Sequence, residues 1–229
     1  MRSNIFEKYA VNAPLKTFRP SLKPIWSLEY TRMYPPKHHQ SNDHQKMITV
    51  IKQYPFAMLV SVLDNKPLIT HIPIIYNEST GKLVAHIDKY NPQVATLKDG
   101  AEVTVVFKGP DSYISPSVYS TKQLPTWNYI IIHIKGIVTL INDPEEAKET
   151  MIAMTEFLEG ADQKFVLEKD NRGMRNAIHY IQAFEVEITD WEGKFKLSQD
   201  KKQQDQDNAT QELIKNSKKN ISKFVKNII

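Results

Sequence analysis

The sequence predicts a mainly β (α+β) domain: a closed β-barrel with inserted helices. Three observations predict it. Six or so short runs have strand character and are separated by turn residues. Two helical patterns arrive late in the chain. Neither a GxGxxG after a strand nor a GxxxxGK[ST] occurs, which leaves Rossmann and P-loop readings without support. With 229 residues, 41% hydrophobic and 24% charged, the chain is long enough to bury one sizeable core.

Each element follows from local signals. Ser41-Asn42-Asp43 offers N-cap oxygens, and Met47, Ile48 and Ile51 then fall at helical spacing, so 42–53 reads as a short helix. Phe56–Val62 and Pro67–Tyr76 read as strands around the turn pair Asp64-Asn65, which tolerates positive φ. Lys82–Ile87 follows a second hairpin loop, and a helix is expected around 93–98. Glu102–Phe107 is a further strand, ended by Gly109-Pro110. Trp127–Ile141 is long enough to bend, with Gly136 as the bend. Asp143-Pro144-Glu145-Glu146 then starts a helix, with Asp at the N-cap, Pro at N1 and Glu at N3, and Gly160 stops it. A second helix covers about 171–181, Phe184–Ile188 alternates as a half-buried strand, and Phe195–Leu197 is the last strand. From Gln203 onward, Leu213, Ile214, Ile221, Phe224 and Val225 form one face of a basic helix.

Charge divides the chain. The formal net charge is +4. Residues 1–32 hold six Lys or Arg against two acids, and residues 201–229 hold seven Lys against three acids. The body between them carries 17 basic and 21 acidic residues, so it offers no broad cationic face to DNA; the tails do. The first 32 residues contain Pro14, Pro20 and Pro24 and no sustained period, and read as a disordered extension, with the compact domain spanning 33–200 and a helical insertion at about 143–182. Residues 201–229 read as a basic helical tail. No apolar run approaches the length of a membrane-spanning helix, and no apolar stretch of signal-peptide type opens the chain. The absence of cysteine excludes disulfides, thiol nucleophiles and thiolate metal sites, and fits the cytoplasm.

Three clusters could carry chemistry. Pro110–Asn128 combines hydroxyls, aromatics, a Lys and three prolines, which suits a planar polar ligand and equally a barrel-closing loop. His86–Gln93 joins a strand to a helical turn, where Lys89 and backbone N–H groups could hold a phosphate or simply face water. Trp191–Gln199 alternates two lysines with apolar residues, as an anion site or a soluble edge strand would. His38, His39 and His44 lie close together without a carboxylate pair at ligand spacing and read as surface histidines; no metal site is expected. No GxSxG and no HExxH occur, and no residue announces itself as a catalytic acid or base beyond His71, His86 and Tyr119.

Seven motifs appear in order: Met33-Tyr34-x-Pro36-Lys37-His38, Thr70-His71-Ile72-Pro73, His86-x4-Asn91-Pro92-Gln93, Phe107-x-Gly109-Pro110, Tyr113-Ile114-Ser115-Pro116-Ser117-x-Tyr119, Pro125-Thr126-Trp127-Asn128-Tyr129 and Gly193-Lys194-x-Lys196-Leu197-Ser198-Gln199. Together they resemble the PaiB-type transcriptional regulator family over about 33–200. Val118 departs from the pattern, standing where the family usually has Trp. The resemblance implies an FMN-binding split β-barrel related to the pyridoxamine-phosphate oxidase-like flavoproteins, a homodimer with FMN at the subunit interface, and a role as a negative regulator of transcription. Laid over this sequence, it implies Lys89 and Asn91 at the phosphate, with Thr70, His71 and His86 beside them. Trp127 and Asn128 would meet the ring from the partner chain, with Tyr119 nearby and Lys196 neutralising charge. DNA would be met by the basic tail. The alternative is an FMN-dependent oxidoreductase or flavin reductase, and a cofactor-free module ranks third.

Overall fold

The structure is a computed structural model that describes residues 35–217 and Val225. The Met33-Tyr34 motif, the 1–32 extension and the lysines at 218, 219, 223 and 226 lie outside the described residues.

Seven strands form one antiparallel sheet: β1 (Gln40–Ser41), β2 (Phe56–Leu63), β3 (Lys66–Asn77), β4 (Lys82–Asp88), β5 (Glu102–Ile114), β6 (Thr126–Ile141) and β7 (Ile181–Lys196). Its order is β1-β7-β4-β3-β2-β5-β6, and β6 also pairs with β7, so six strands close into a barrel. The β2–β3 hairpin turns on Asp64 and Asn65, whose φ values of 50° and 61° are those a tight two-residue turn needs. The barrel is split along β7. Ile181–Val186 pairs with β4, whereas Lys194 and Gly193 pair with β1. The change happens where Lys135 faces Asp190 and Gly136 faces Ile188, which leaves Thr189 as a bulge. Gly136 is the bend the sequence predicts, for a steric reason: a Cβ there would stand 2.4 Å from Val186 Cγ1 and 2.5 Å from the Glu187 carbonyl oxygen.

Four expectations are corrected. Gly109-Pro110 does not end β5; Lys108 faces Ile131 and Asp111 faces Tyr129, so the pair is a bulge inside a strand that runs on to Ile114. The two short strands expected at 184–188 and 195–197 are one strand, because β6 pairs with β7 along its whole length. The expected helix at 93–98 is a 3-10 turn over Pro92–Thr96, and the one at 171–181 divides into a helix and a 3-10 turn.

Four helices complete the domain: α1 (His44–Gln53), α2 (Pro144–Glu159), α3 (Arg172–Ala177) and α4 (Gln203–Ser217). Inward residues of the strands, among them Leu59, Ile74, Leu83, Val105, Phe107, Ile134 and Phe184, fill the barrel. At one end α1 inserts Met47, Val50 and Ile51 into this core. Met47 packs so close to β7 that a Cβ on Gly193 would lie 2.7 Å from its Sδ. At the other end the Pro92–Thr96 turn lays Gln93, 1% exposed, across β2 and β3. Its Nε2 donates to the carbonyls of Leu59 and Leu68 (both 3.1 Å) and to Ser61 Oγ (2.9 Å). Outside the barrel, α2 is capped by Asp143, which accepts from the Glu146 amide at 2.9 Å, and its Met154 covers Ile75 and Val84. Within the segment expected as a basic tail, α4 is docked on the barrel: Ala209 and Leu213 pack on Ile114 and Tyr119, and Asn216 Nδ2 donates to Ser112 Oγ at 2.7 Å. Between 203 and 217 it carries three acids and one lysine.

Candidate functional site

The nine residues predicted for the site fall into separate places. Thr70 and Asn91 meet each other: Asn91 Nδ2 donates to Thr70 Oγ1 at 3.0 Å, while its Oδ1 accepts from the Gln93 amide at 2.9 Å. Both therefore help to seat the turn that closes the barrel. Lys89 lies at the same turn and donates from Nζ to the His179 carbonyl at 3.0 Å, with its other ammonium hydrogens turned to solvent. His86 is half-buried on β4, and its Nδ1 is buried with no hydrogen-bond partner. Burial holds the imidazole below its ordinary pKa and so keeps it neutral. His71 sits on the outer face of β3, stacked on Phe56 with ring centroids 6.1 Å apart.

Tyr119, Asn128 and Lys196 are brought together at the opposite end. Thr70 pairs with Leu59, Leu59 with Val105 and Val105 with Ile134. From Ile134 to Asn128 is a run along β6 of about 20 Å at roughly 3.3 Å per residue. The three residues line a cavity of about 260 Å³ with His39, Gln123, Thr126, Ser198, Asp200 and Lys201. Ser198 is its hub. Tyr119 Oη and Asn128 Nδ2 each lie 3.0 Å from Ser198 Oγ, and all three residues are buried. Ser198 holds φ at 66°, a left-handed conformation that a serine rarely adopts. The cavity is cationic. Burial first, then the charges of His38, Lys196 and Lys194, hold His39 below its usual value, against an opposing pull from Asp200. Burial works to raise the Asp200 carboxyl, but the Lys201 ammonium, 2.6 Å away, outweighs it and holds it below the usual range. Lys194 adds a further cation over the Tyr129 ring, 5.2 Å from its centroid.

Trp127 does not join this cavity. Successive strand residues point to opposite faces, so Asn128 is buried while Trp127 is half-exposed, donating from Nε1 to Asp111 Oδ2 at 2.9 Å. The two residues therefore face opposite sides of β6 within one protomer.

Between the two ends runs an outer sheet face. His71, Met58, Val106, His133 and Glu192 stand in one row across five strands, because each is the direct partner of the next. Phe56 and Ile69, 65% and 53% exposed, flank the row. A groove of about 580 Å³ opens here on Phe56, Met58, Val106 and Ile131, with His71 and Lys108 at its polar edge. Sequence reasoning missed Ser198, His39, Lys201 and Lys108. Ser198 stands inside the quoted Lys196-Leu197-Ser198-Gln199 motif, so the signal was there, but nothing in a serine advertises a hub.

A dianionic, polyhydroxylated flavin nucleotide needs cations, hydrogen-bonding hydroxyls and amides, and a flat apolar slot. The cavity provides the first two and the groove the third, and His86 Nδ1 is a buried polar atom without a hydrogen-bond partner; the residues present fit FMN. Fold and site together define a split-barrel flavoprotein. The chain belongs to the family whose model, described as "Putative FMN-binding domain", matches residues 33–190, and its cofactor is FMN. It is 28% identical over 184 residues to the protease synthase and sporulation protein PAI 2 of Bacillus subtilis (strain 168), covering 79% of this chain and 89% of that protein. In fold it is similar to the FAD and heme binding protein of Mycobacterium smegmatis (TM-score 0.56, 19% identity, 69% of this chain and 73% of that one). It is also similar to the flavocytochrome Anf3 of Azotobacter vinelandii (TM-score 0.55, 13% identity, 69% of each chain).

Proposed function

We propose that two copies of this chain pair through the outer face of β2, β3 and β5, share FMN between them, and act as a PaiB-like negative transcriptional regulator. The carrying observation is that the two polar clusters lie at opposite ends of the barrel, with an exposed apolar face between them. A two-fold axis across that face brings one copy's β3–β4 end against the other's cavity, so each flavin site is completed by the partner. On the first copy Lys89 binds the phosphate beside Asn91 and Thr70, while His71 and His86 meet the ligand from the outer face of β3 and β4. On the second, Lys196 and Lys201 neutralise negative charge, while Tyr119, Ser198 and Asn128 hydrogen-bond the polar parts. Trp127, on the outer face of β6 beside that copy's Asn128, packs against the ring. When bound, FMN supplies one- and two-electron chemistry at its ring. The regulator reading is supported by the likeness to PAI 2 over most of both chains and by the lysines at 218, 219, 223 and 226, which suit a DNA backbone.

The test is complementation. K89A and K196A each lose FMN binding on titration followed by flavin fluorescence. Mixing the two after unfolding and refolding together restores about a quarter of the wild-type sites, because half the dimers are mixed and each mixed dimer has one intact site. No recovery on mixing refutes the shared site. For DNA, deletion of residues 218–229 abolishes a gel shift that falls steeply with salt; an undiminished shift refutes the tail's role. The oxidoreductase reading is favoured by the room left in the cationic cavity for a small anionic substrate, and steady turnover of NAD(P)H with FMN would establish it.

A further inference from the structure

The loop after β5 forms one wall of the cationic cavity, and Tyr119 reaches Ser198 from it. What holds this loop is not the barrel. Asp205 stands in the first turn of α4, where a carboxylate ordinarily faces its own helix's amides. Here it turns outward and is 1% exposed. Oδ1 accepts the Ser120 amide at 2.6 Å and Oδ2 accepts the Thr121 hydroxyl at 3.1 Å. Two residues beside it continue the grip. Asn208 Nδ2 donates to the Val118 carbonyl at 2.8 Å, and Ala209 packs under Tyr119. So three of the four loop residues 118–121, Val118, Ser120 and Thr121, are bonded to α4 at the point where Tyr119 enters the cavity. The hydrogen bond from the Ser120 amide, more than any other influence, holds the Asp205 carboxyl below its ordinary range, so it is ionised and accepting at neutral pH.

We propose that Asp205 is a positioning residue that latches the cavity wall to the C-terminal helix, so that ligand binding in the cavity and docking of α4 are linked. The inference rests on the cavity being part of the flavin site, as proposed above. Linkage is reciprocal: whatever tightens the wall tightens α4, and whatever draws α4 away loosens the wall. Because α4 leads into the lysine-rich end of the chain, a partner that engages that end acts on the flavin site through this carboxylate.

The experiment compares wild type, D205A, D205N and N216A by FMN titration and by hydrogen exchange of the full chain with and without FMN. N216A removes a bond between α4 and β5 away from the loop and serves as the control for general loosening of the helix. In D205A, amides 118–121 lose protection by tenfold or more and FMN affinity falls about tenfold. D205N, which keeps one acceptor oxygen, falls between. N216A leaves affinity and loop protection as in wild type. In wild type, FMN raises protection at 205–213; in D205A this response is lost. Loop protection in D205A equal to wild type overturns the latch whether or not FMN binds, and equal losses in D205A and N216A overturn the positioning role. Failure of wild type to bind FMN would instead refute the flavin reading, and the exchange of amides 118–121 would still decide the latch.

Discussion

Two buried polar clusters sit at opposite ends of this barrel, and they differ in who satisfies them. Around Gln93, the amide nitrogen serves main-chain carbonyls of β2 and β3 and one serine hydroxyl, all within the wall it closes. Around Ser198, the partners are side chains from three separate segments, beside an open cavity bounded by Lys196, Lys201 and His39. The first cluster substitutes for missing ladder bonds at a barrel mouth. The second is assembled at the cost of a left-handed serine and of charges that repel one another, which stability alone would not select. Burial and polarity are the same in both; the difference lies in whether the partners are backbone or side chain and whether space is left over.

The comparison can be broken from either side. The largest expected effect is at the plug. Gln93→Leu removes the hydrogen bonds to the Leu59 and Leu68 carbonyls and to Ser61 Oγ and costs about 2–4 kcal/mol in urea unfolding, with FMN affinity of the folded fraction unchanged. A loss of affinity without a loss of stability would reverse the assignment. At the other end, Lys196→Ala loses FMN binding on titration and Asn128→Ala weakens it by roughly tenfold, while both change the melting temperature far less than the plug variant does, since a hydrogen bond to a charged group is worth about 1.5–3 kcal/mol. Ser198→Gly sharpens the contrast. It relieves the strained φ, by about 1 kcal/mol, yet removes the hub hydroxyl; stability holds or rises as affinity drops.

Smaller still is a pH effect. His39 and His86 both lie below their ordinary value of 6.5 in the folded chain. The unfolded chain therefore takes up protons first, and stability that is full above pH 6.5 falls as pH drops through the lowered folded values. His86→Gln makes this slope shallower in melts from pH 7.5 down to 5.5 (roughly the range over which an ordinary histidine titrates). The least effect is expected on the outer face, where Lys135→Ala breaks an exposed pair with Asp190 and shifts stability by no more than about 0.5 kcal/mol.

Much of this fold is legible in the sequence because strand alternation, the Asp64-Asn65 turn and the Asp143-Pro144 cap are local signals. What misled was also local. Gly109-Pro110 looks like a terminus because a bulge uses the same residues as a stop, and only the partner strand distinguishes them. That Asn91 meets Thr70 is hidden for the same reason, since Thr70 lies on a strand two elements earlier in the chain. Of the cationic cavity, Tyr119, Asn128 and Lys196 were legible, yet its hub was not. Likewise the segment from 201 onward reads as a free basic tail because seven lysines stand against three acids there, whereas α4 holds one of those lysines, and Ala209, Leu213 and Asp205 dock it.

The split along β7 bears on how the chain is made. That strand alone joins β4 on one side and β6 on the other, with β1 taking over its edge further along, and it is the last strand of the barrel to be synthesised. Until the ribosome has released the segment through Lys196, the five earlier barrel strands form an open sheet whose two edges, on β4 and β6, have no partner. A nascent chain of this kind is exposed to edge-to-edge association for longer than one whose sheet closes progressively. Slowing translation just upstream of residue 181 should therefore lower soluble yield more than slowing it just downstream of residue 196.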